Sequence, residues 1–272
     1  MSRLFQGRAR DPIGVFDSGL GGLTVVKAIR ALLPAEDIHY FGDLARLPYG
    51  TKSREQIIRF SVENTEFLLR RRVKALVVAC NSSASAAYQI LRKKYTLPIV
   101  DVITPAVREA VLASHTGRIG LIATKATVES GAYEQALNAL NPKARVTSAP
   151  CPLFVPLVEE GMALDRVTAM MAQRYLKPLI RKKIDTLILG CTHYPLLSRI
   201  IKQVLPKGIH LVDSARPTVQ GLAEILIQHG LKNTRKGKGR LSIFVSDKPR
   251  SFTELGERFL GEKLTHVEVV RS

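Results

Sequence analysis

Residues 68–80 read LLRRRVKALVVAC, and residues 179–191 read LIRKKIDTLILGC. With Cys80 set over Cys191, Leu68 falls on Leu179, Leu69 on Ile180, Val73 on Ile184, and Leu76–Val78 on Leu187–Leu189. The basic triplets Arg70-Arg71-Arg72 and Arg181-Lys182-Lys183 also coincide. Downstream, PIVDVITPAV (98–107) lies over HLVDSARPTV (210–219), which matches Asp101 with Asp213 and Pro105 with Pro217. Upstream, IGVFDS (13–18) lies over IGLIAT (119–124). Three matching segments in the same order point to a duplicated unit with loop insertions. The runs IGVF (13–16), IHYF (38–41), ALVVAC (75–80), PIVDV (98–102), IGLIA (119–123), TLILGC (186–191) and HLVD (210–213) are almost continuously apolar. Such runs suit parallel strands buried on both faces. Between them lie stretches long enough for crossover helices, such as 53–72, where Ser53 and Gln56 form a capping-box pattern. The expected fold is α/β: two similar, pseudo-symmetric α/β domains with mainly parallel sheets. In open parallel sheets ligands bind beyond the carboxyl ends of the strands. Both Cys80 and Cys191 stand where a strand ends, so an active site is expected in the cleft between the domains.

The 272 residues suffice for two ordinary domains, and no stretch approaches the ~20 apolar residues of a membrane helix. The basic start MSRLFQGRARDP lacks the apolar core of a secretory signal, so the cytoplasm is the expected compartment. Three cysteines make no disulfide framework and are expected to remain thiols. Lys plus Arg number 41 against 23 Asp plus Glu, a net charge of +18. An excess of this size admits a nucleic-acid partner or the collection of an anionic substrate. Much of it sits in clusters: the two triplets above, Arg92-Lys93-Lys94, and the stretch Lys232–Arg240. The first three close helical patterns, where cations complement the helix dipole. No nucleic-acid reader motif is present, Trp is absent and aromatics are only 6%, which leaves few surfaces for base stacking.

A lone strand-end thiol reads most simply as buried and inert. Two at equivalent positions of a repeat, each followed by polar residues (Cys80-Asn81-Ser82-Ser83 and Cys191-Thr192-His193), read instead as a pair acting on one ligand. Cys151 has no counterpart in the repeat and is expected to be structural. The loop Asp17-Ser18-Gly19-Leu20-Gly21-Gly22 allows close approach of backbone to a small anion. A dinucleotide site, with Asp43 as ribose partner, is disfavoured because Thr24 occupies the third glycine of G-x-G-x-x-G and Asp17 would repel pyrophosphate. His193 is placed to assist ionisation of Cys191 or merely to order its loop. No H-E-x-x-H or paired C-x-x-C appears, so no metal is expected. Two thiols facing one carbon from opposite sides can remove a proton from one face and return one to the other. Without a cofactor as electron sink, the resulting carbanion needs positioned hydrogen bonds, for which the Asp-Ser-Gly loop, Asn81, Ser82 and Thr192 offer groups.

DSGLGG (17–22), LPYG (47–50), ACNSSASAA (79–87), PLVEEG (156–161) and GCTHYPLL (190–197) together resemble the glutamate racemase family of the aspartate/glutamate racemase superfamily. The likeness spans about residues 13–219. It implies a cofactor-independent isomerase that interconverts L- and D-glutamate for peptidoglycan and commonly forms homodimers. By the same likeness, Cys80 takes the proton from D-glutamate and Cys191 from L-glutamate, assisted by Asp17, His193 and Glu159. Asp17, Ser18, Tyr49, Gly50, Asn81, Ser82, Thr192 and His193 match substrate-binding positions. The family usually has Thr where this chain has Ser82, a change that keeps the hydroxyl and loses a methyl. The implied domains are residues 1–104 with 215–272, and residues 105–214. A racemase for aspartate or another amino acid is the nearest alternative, and a nucleic-acid-associated binding role, suggested by the charge, is one of a different class.

Overall fold

The computed structural model describes residues 7–248 and 252–270; the outermost part of the basic start and the last two residues of the expected first domain lie outside them. The chain opens with β1 (Ile13–Asp17), α1 (Leu23–Leu32), β2 (Ile38–Gly42), α2 (Arg54–Leu69), β3 (Ala75–Val78), α3 (Asn81–Lys94) and β4 (Ile99–Asp101). It continues through α4 (Ile103–Ala113), β5 (Arg118–Ala123), α5 (Lys125–Glu129), α6 (Ala132–Leu140), β6 (Arg145–Pro150), α7 (Phe154–Glu159), α8 (Arg166–Arg181), β7 (Thr186–Gly190), α9 (Ser198–Val204) and β8 (His210–Asp213). It then returns through α10 (Ala215–Gln228), β9 (Leu241–Val245), α11 (Phe252–Leu260) and β10 (Val267–Val269).

Every strand pair is parallel. One sheet has the order β10-β9-β2-β1-β3-β4 and the other β6-β5-β7-β8. The order β2-β1-β3-β4 is therefore repeated as β6-β5-β7-β8, with the returning segment adding two strands outside β2. Every residue of β1, β3 and β7 is buried, as strands covered by helices on both faces must be. The duplication reaches the backbone itself. Arg72 and Lys183, the last residues of the two basic triplets, are the only non-glycine residues with positive φ among the described residues, at 56° and 53°. Each sits between a helix and the strand that leads to one of the paired cysteines. Asp101 and Asp213 also correspond in role. Asp101 Oδ1 accepts the amide hydrogens of Ile103 (2.7 Å) and Thr104 (2.8 Å) at the start of α4, and Asp213 Oδ1 accepts that of Ala215 (2.9 Å) at the start of α10. These are the two helices by which the chain passes between sheets. α4 packs on β7 and β8, and α10 packs on α1, β4 and α4.

The expected capping box at Ser53 is half present: Ser53 Oγ accepts from the Gln56 amide at 3.3 Å, which starts α2. Three strands went unread in the sequence. β6 (RVTSAP) is an edge strand carrying Thr and Ser on a mostly half-buried surface, so it lacks the apolar run of its neighbours. β9 and β10 belong to the returning segment, where no motif marked the register.

Lys74 and Glu36, both wholly buried, form an ion pair beneath this return. Glu36 Oε1 also accepts the amide of Asn233 at 2.8 Å, tying residue 233 to the first sheet. Lys74→Met leaves Glu36 as an uncompensated buried charge and is expected to cost about 3–5 kcal/mol, read as the loss in urea-unfolding free energy. An unchanged unfolding midpoint would contradict this account of the pair. Among the described residues no helix is long and apolar enough to cross a membrane.

Candidate active site

β1, β3 and β7 all end on one cavity lined by Ser18, Tyr49, Gly50, Cys80, Asn81, Ser82, Thr124, Val155, Cys191, Thr192 and His193, together with Leu47 and Pro48. Its free volume is about 20 Å³, room for about one water molecule. Cys80 caps the start of α3 and Cys191 follows β7, so the duplicated strand ends bring both thiols to the same small space. Both cysteines are nearly closed off from solvent, at 5% and 6% exposure.

The surroundings of the two thiols differ. Cys80 Sγ lies 3.6 Å from Ser18 Oγ. Burial and the neighbouring Asp17 carboxylate push the Cys80 thiol up to about 11, against hydrogen bonds from Ser83 and Ser18. It is therefore a protonated thiol at neutral pH. Asp17 itself is fully buried. Burial raises its carboxyl above the ordinary range, opposed by the charge of His193 and by hydrogen bonds from Gly19, Gly22 and Thr192. Its Oδ2 accepts the Gly19 amide at 2.9 Å and its Oδ1 accepts Thr192 Oγ1 at 3.3 Å, a contact that crosses from one sheet to the other.

On the opposite side, His193 Nδ1 lies 3.9 Å from Cys191 Sγ and its Nε2 lies 3.0 Å from Glu159 Oε1. Burial alone would pull the imidazole down, yet hydrogen bonding and charge from Cys191 and Glu159 hold it up at about 10. An imidazolium, with both ring nitrogens donating, thus stands beside Cys191. Glu159 sits at the end of α7 and was placed here by the sequence motif PLVEEG. The ring of His193 is also held edge-on by Phe259 of α11, with centroids 5.1 Å apart.

Asn81 and Tyr133 form a second bridge. Tyr133 of α6 donates its hydroxyl to Asn81 Oδ1 at 2.6 Å, and both residues are buried. Asn81 Nδ2 is left buried without a partner, on the residue that lines the cavity. The hydroxyl proton has this one acceptor, so it fixes the amide with NH₂ unpaired. Ser82 Oγ joins Thr124 Oγ1 (3.0 Å) and Thr127 Oγ1 (3.5 Å) in a hydroxyl cluster that also spans the two sheets.

Tyr49 lines the cavity with its ring, but its hydroxyl is turned away: it donates to Asp43 and accepts from Asn64 Nδ2 at 3.0 Å. Asp43, the residue a dinucleotide site would need free, is instead occupied by Tyr49, by Arg46 (2.6 Å) and by Ser246 Oγ (2.9 Å). It holds the LPYG loop in place. Cys151 is fully buried outside the cavity lining, with its carbonyl accepting Tyr194 OH at 3.0 Å, as expected of a structural residue.

Sequence reading missed Thr124, Thr127, Tyr133 and Phe259. Thr124 was within reach, because the repeat sets it over Ser18. The others carry no local signal: they are ordinary helix residues whose role depends on the partner the fold brings to them.

Two parallel sheets each deliver one thiol to a shared closed cavity, and the fold is that of the amino-acid racemases. The chain belongs to the Asp/Glu/Hydantoin racemase family, whose profile matches residues 13–222. It is 47% identical over 255 residues to a glutamate racemase of Geobacter metallireducens, covering 94% of each chain. Among solved structures it resembles glutamate racemase from Francisella tularensis in complex with D-glutamate, with TM-score 0.91, 40% identity and coverage of 96% of this chain and 98% of that one. It also resembles the RacE1 isoform of glutamate racemase from Bacillus anthracis, with TM-score 0.93, 38% identity and coverage of 97% and 98%.

Proposed function

We propose that this chain is a glutamate racemase that interconverts L- and D-glutamate by two-thiol proton transfer, without a cofactor, and supplies D-glutamate for peptidoglycan. The observation that carries the reading is the pair of buried thiols, from equivalent strand ends, on one cavity. In the direction from L-glutamate, Cys191 sulfur takes the α-proton and the C–H electron pair stays on the α-carbon. The Cys80 thiol then gives its proton to the opposite face, which completes the inversion with the two sulfurs exchanged in protonation. The protonated Cys80 thiol and the imidazolium beside Cys191 are the starting state this direction requires. Asn81 Nδ2, Ser18 and Ser82 offer hydrogen-bond donors to the carboxylate that takes up charge as the carbanion forms, while the Thr192 hydroxyl, which donates to Asp17, lines the site beside them. Asp17 positions the Cys80 side and Glu159 positions His193. The proposal includes the division into residues 1–104 with 215–272 and residues 105–214 and the homodimeric assembly that the sequence resemblance implies, and the cytoplasmic location expected from the basic start without an apolar signal core.

The test follows D-glutamate with pyridoxal-free, metal-chelated enzyme in D₂O by ellipticity and by α-proton NMR. Decay toward the racemate with deuterium entering the α-position is expected, with L-aspartate turned over far more slowly. No exchange with glutamate, or faster exchange with aspartate, rejects the reading.

If Tyr133 sets the Asn81 amide, then Tyr133→Phe lets that amide rotate and lowers kcat/KM about tenfold, the value of roughly one hydrogen bond. The thermal midpoint should change little. Unaltered kinetics would show that Asn81 needs no such partner.

A further inference from the structure

At the other end of the larger sheet, away from the thiols, the starts of β2, β9 and β10 form the floor of an open basin of about 800 Å³. Its walls carry Arg30, Arg235, Lys236, Lys238, Arg240 and Lys263, against Asp37 and Glu262 as the only carboxylates. It runs into a second hollow through Arg30, Lys238 and Glu262, which adds Lys27, and into a third through Arg240, Ser242 and His266. The three hollows adjoin through these shared residues, and the third adds one carboxylate, Glu268; together they are called the strip.

Two of the cations are spent internally. Arg30 pairs with Glu262 at 2.5 Å, and Arg235 grips Asp37 with two hydrogen bonds of 3.1 Å and 2.5 Å. Lys27, Lys236, Lys238, Arg240 and Lys263 form no ion pair among the described residues, and all five are exposed.

The loop that carries three of these cations is pinned rather than loose. Asp37 Oδ1 accepts the Arg240 amide (2.6 Å), the Gly239 amide donates to Pro34 O (2.7 Å), and the Ile38 amide donates to Arg240 O (2.8 Å). Gly239 presses so closely on the chain that a Cβ there would lie 1.8 Å from Glu36 O, so no other residue fits. The carboxylates of Asp37 and the buried Glu36 are thus used to build the loop, and its free cations are held on a fixed scaffold. Preorganisation of this kind lowers the entropy lost on binding. At the floor, His39 Nδ1 is buried with no hydrogen-bond partner.

We propose that this strip is a second binding site, which takes the phosphodiester backbone of duplex nucleic acid without regard to sequence. The charge demands a polyanion, and three adjoining hollows suit an extended one. The main basin has no Phe, Tyr or Trp among its lining residues, and Phe244, the one aromatic lining the third hollow, is buried at 8% exposure, so little surface is offered for base stacking and backbone contact is the favoured mode. A second copy of this chain is a poor occupant, because a twofold contact would set these cations against themselves. The site does not depend on the racemase reading.

A short fluorescent duplex of mixed sequence, titrated with the full chain and read by anisotropy, tests this. With four cations engaged, affinity should fall on the order of 100-fold between 50 and 200 mM salt. The variant Lys236→Gln/Lys238→Gln/Arg240→Gln/Lys263→Gln is compared with Arg92→Gln/Lys93→Gln/Arg181→Gln/Lys182→Gln, which has the same net charge with the strip intact. Thermal midpoints of both confirm folding. Loss of binding and a flattened salt slope in the first variant alone are expected. Equal weakening in both would assign the effect to diffuse charge and overturn the site. So would no binding by the unaltered chain at 50 mM salt, or binding to phosphatidylglycerol vesicles but not to the duplex.

Discussion

Alanine at Cys80 or at Cys191 is expected to abolish racemisation, lowering kcat by about 10³-fold or more, since a positioned proton donor or acceptor contributes about 10²–10⁴-fold. The two losses should be distinguishable. In Cys80→Ala the Cys191 thiol still faces the α-hydrogen of L-glutamate, so slow exchange of that hydrogen with D₂O persists without inversion. In Cys191→Ala the same residual exchange should appear only with D-glutamate. Cys151→Ala, outside the cavity lining, should stay within a few-fold of the unaltered chain. Each variant is followed by NMR with both enantiomers. Inversion at a near-normal rate by either single-thiol variant would end the two-base account, and exchange of both enantiomers by one variant would show that a single sulfur reaches both faces.

Gly21→Ala is expected to lower kcat/KM about 100-fold with the thermal midpoint nearly unchanged. Gly21 lies in the loop after β1, and a Cβ there would stand 2.2 Å from Thr192 Oγ1 and 2.6 Å from His193 Nδ1, both contributed by the other sheet. The backbone at this position has no positive φ, so alanine strains neither half on its own. The added methyl acts as a wedge between the halves, and a displacement near 1 Å at a reacting centre costs about 10²-fold. Activity close to that of the unaltered chain would mean that this contact is not part of the competent state. A large drop in thermal midpoint would mean that the loop, not the gap, is what suffers.

Much of this arrangement is legible in the sequence, and the repeat is the reason. Placing Cys80 over Cys191 matched three strands of one half with three of the other and showed the shared position of the thiols; the order in which they pair came from the structure. Asp17, Asn81, Thr192 and His193 were within reach because they adjoin those strand ends, where a parallel sheet presents its ligand-facing residues. What escaped depends on the third dimension. Tyr133 matters because α6 comes to lie across from Asn81, and Phe259 because a segment with no motif returns to pack on His193. Asp43 was legible as an acidic residue after β2, but its commitment to Tyr49, Arg46 and Ser246 spans more than 200 positions of chain. The LPYG motif pointed correctly to the cavity wall while leaving unsaid that the Tyr49 hydroxyl points out of it. Strands at sheet edges, such as β6, are half-buried and lose the continuous apolar run by which inner strands announce themselves.

The unlike flanks of the two thiols, a carboxylate near Cys80 and an imidazolium at Cys191, meet a constraint set by the reactants rather than by the protein. Enantiomers have equal free energy in water, so the equilibrium constant of their exchange is unity whatever the enzyme. The ratio kcat/KM must then be the same for L- and D-glutamate. No asymmetry built around the sulfurs can make this racemase favour one hand of its substrate at low concentration. It can only make one enantiomer bind more tightly and turn over more slowly, by the same factor, than its mirror image.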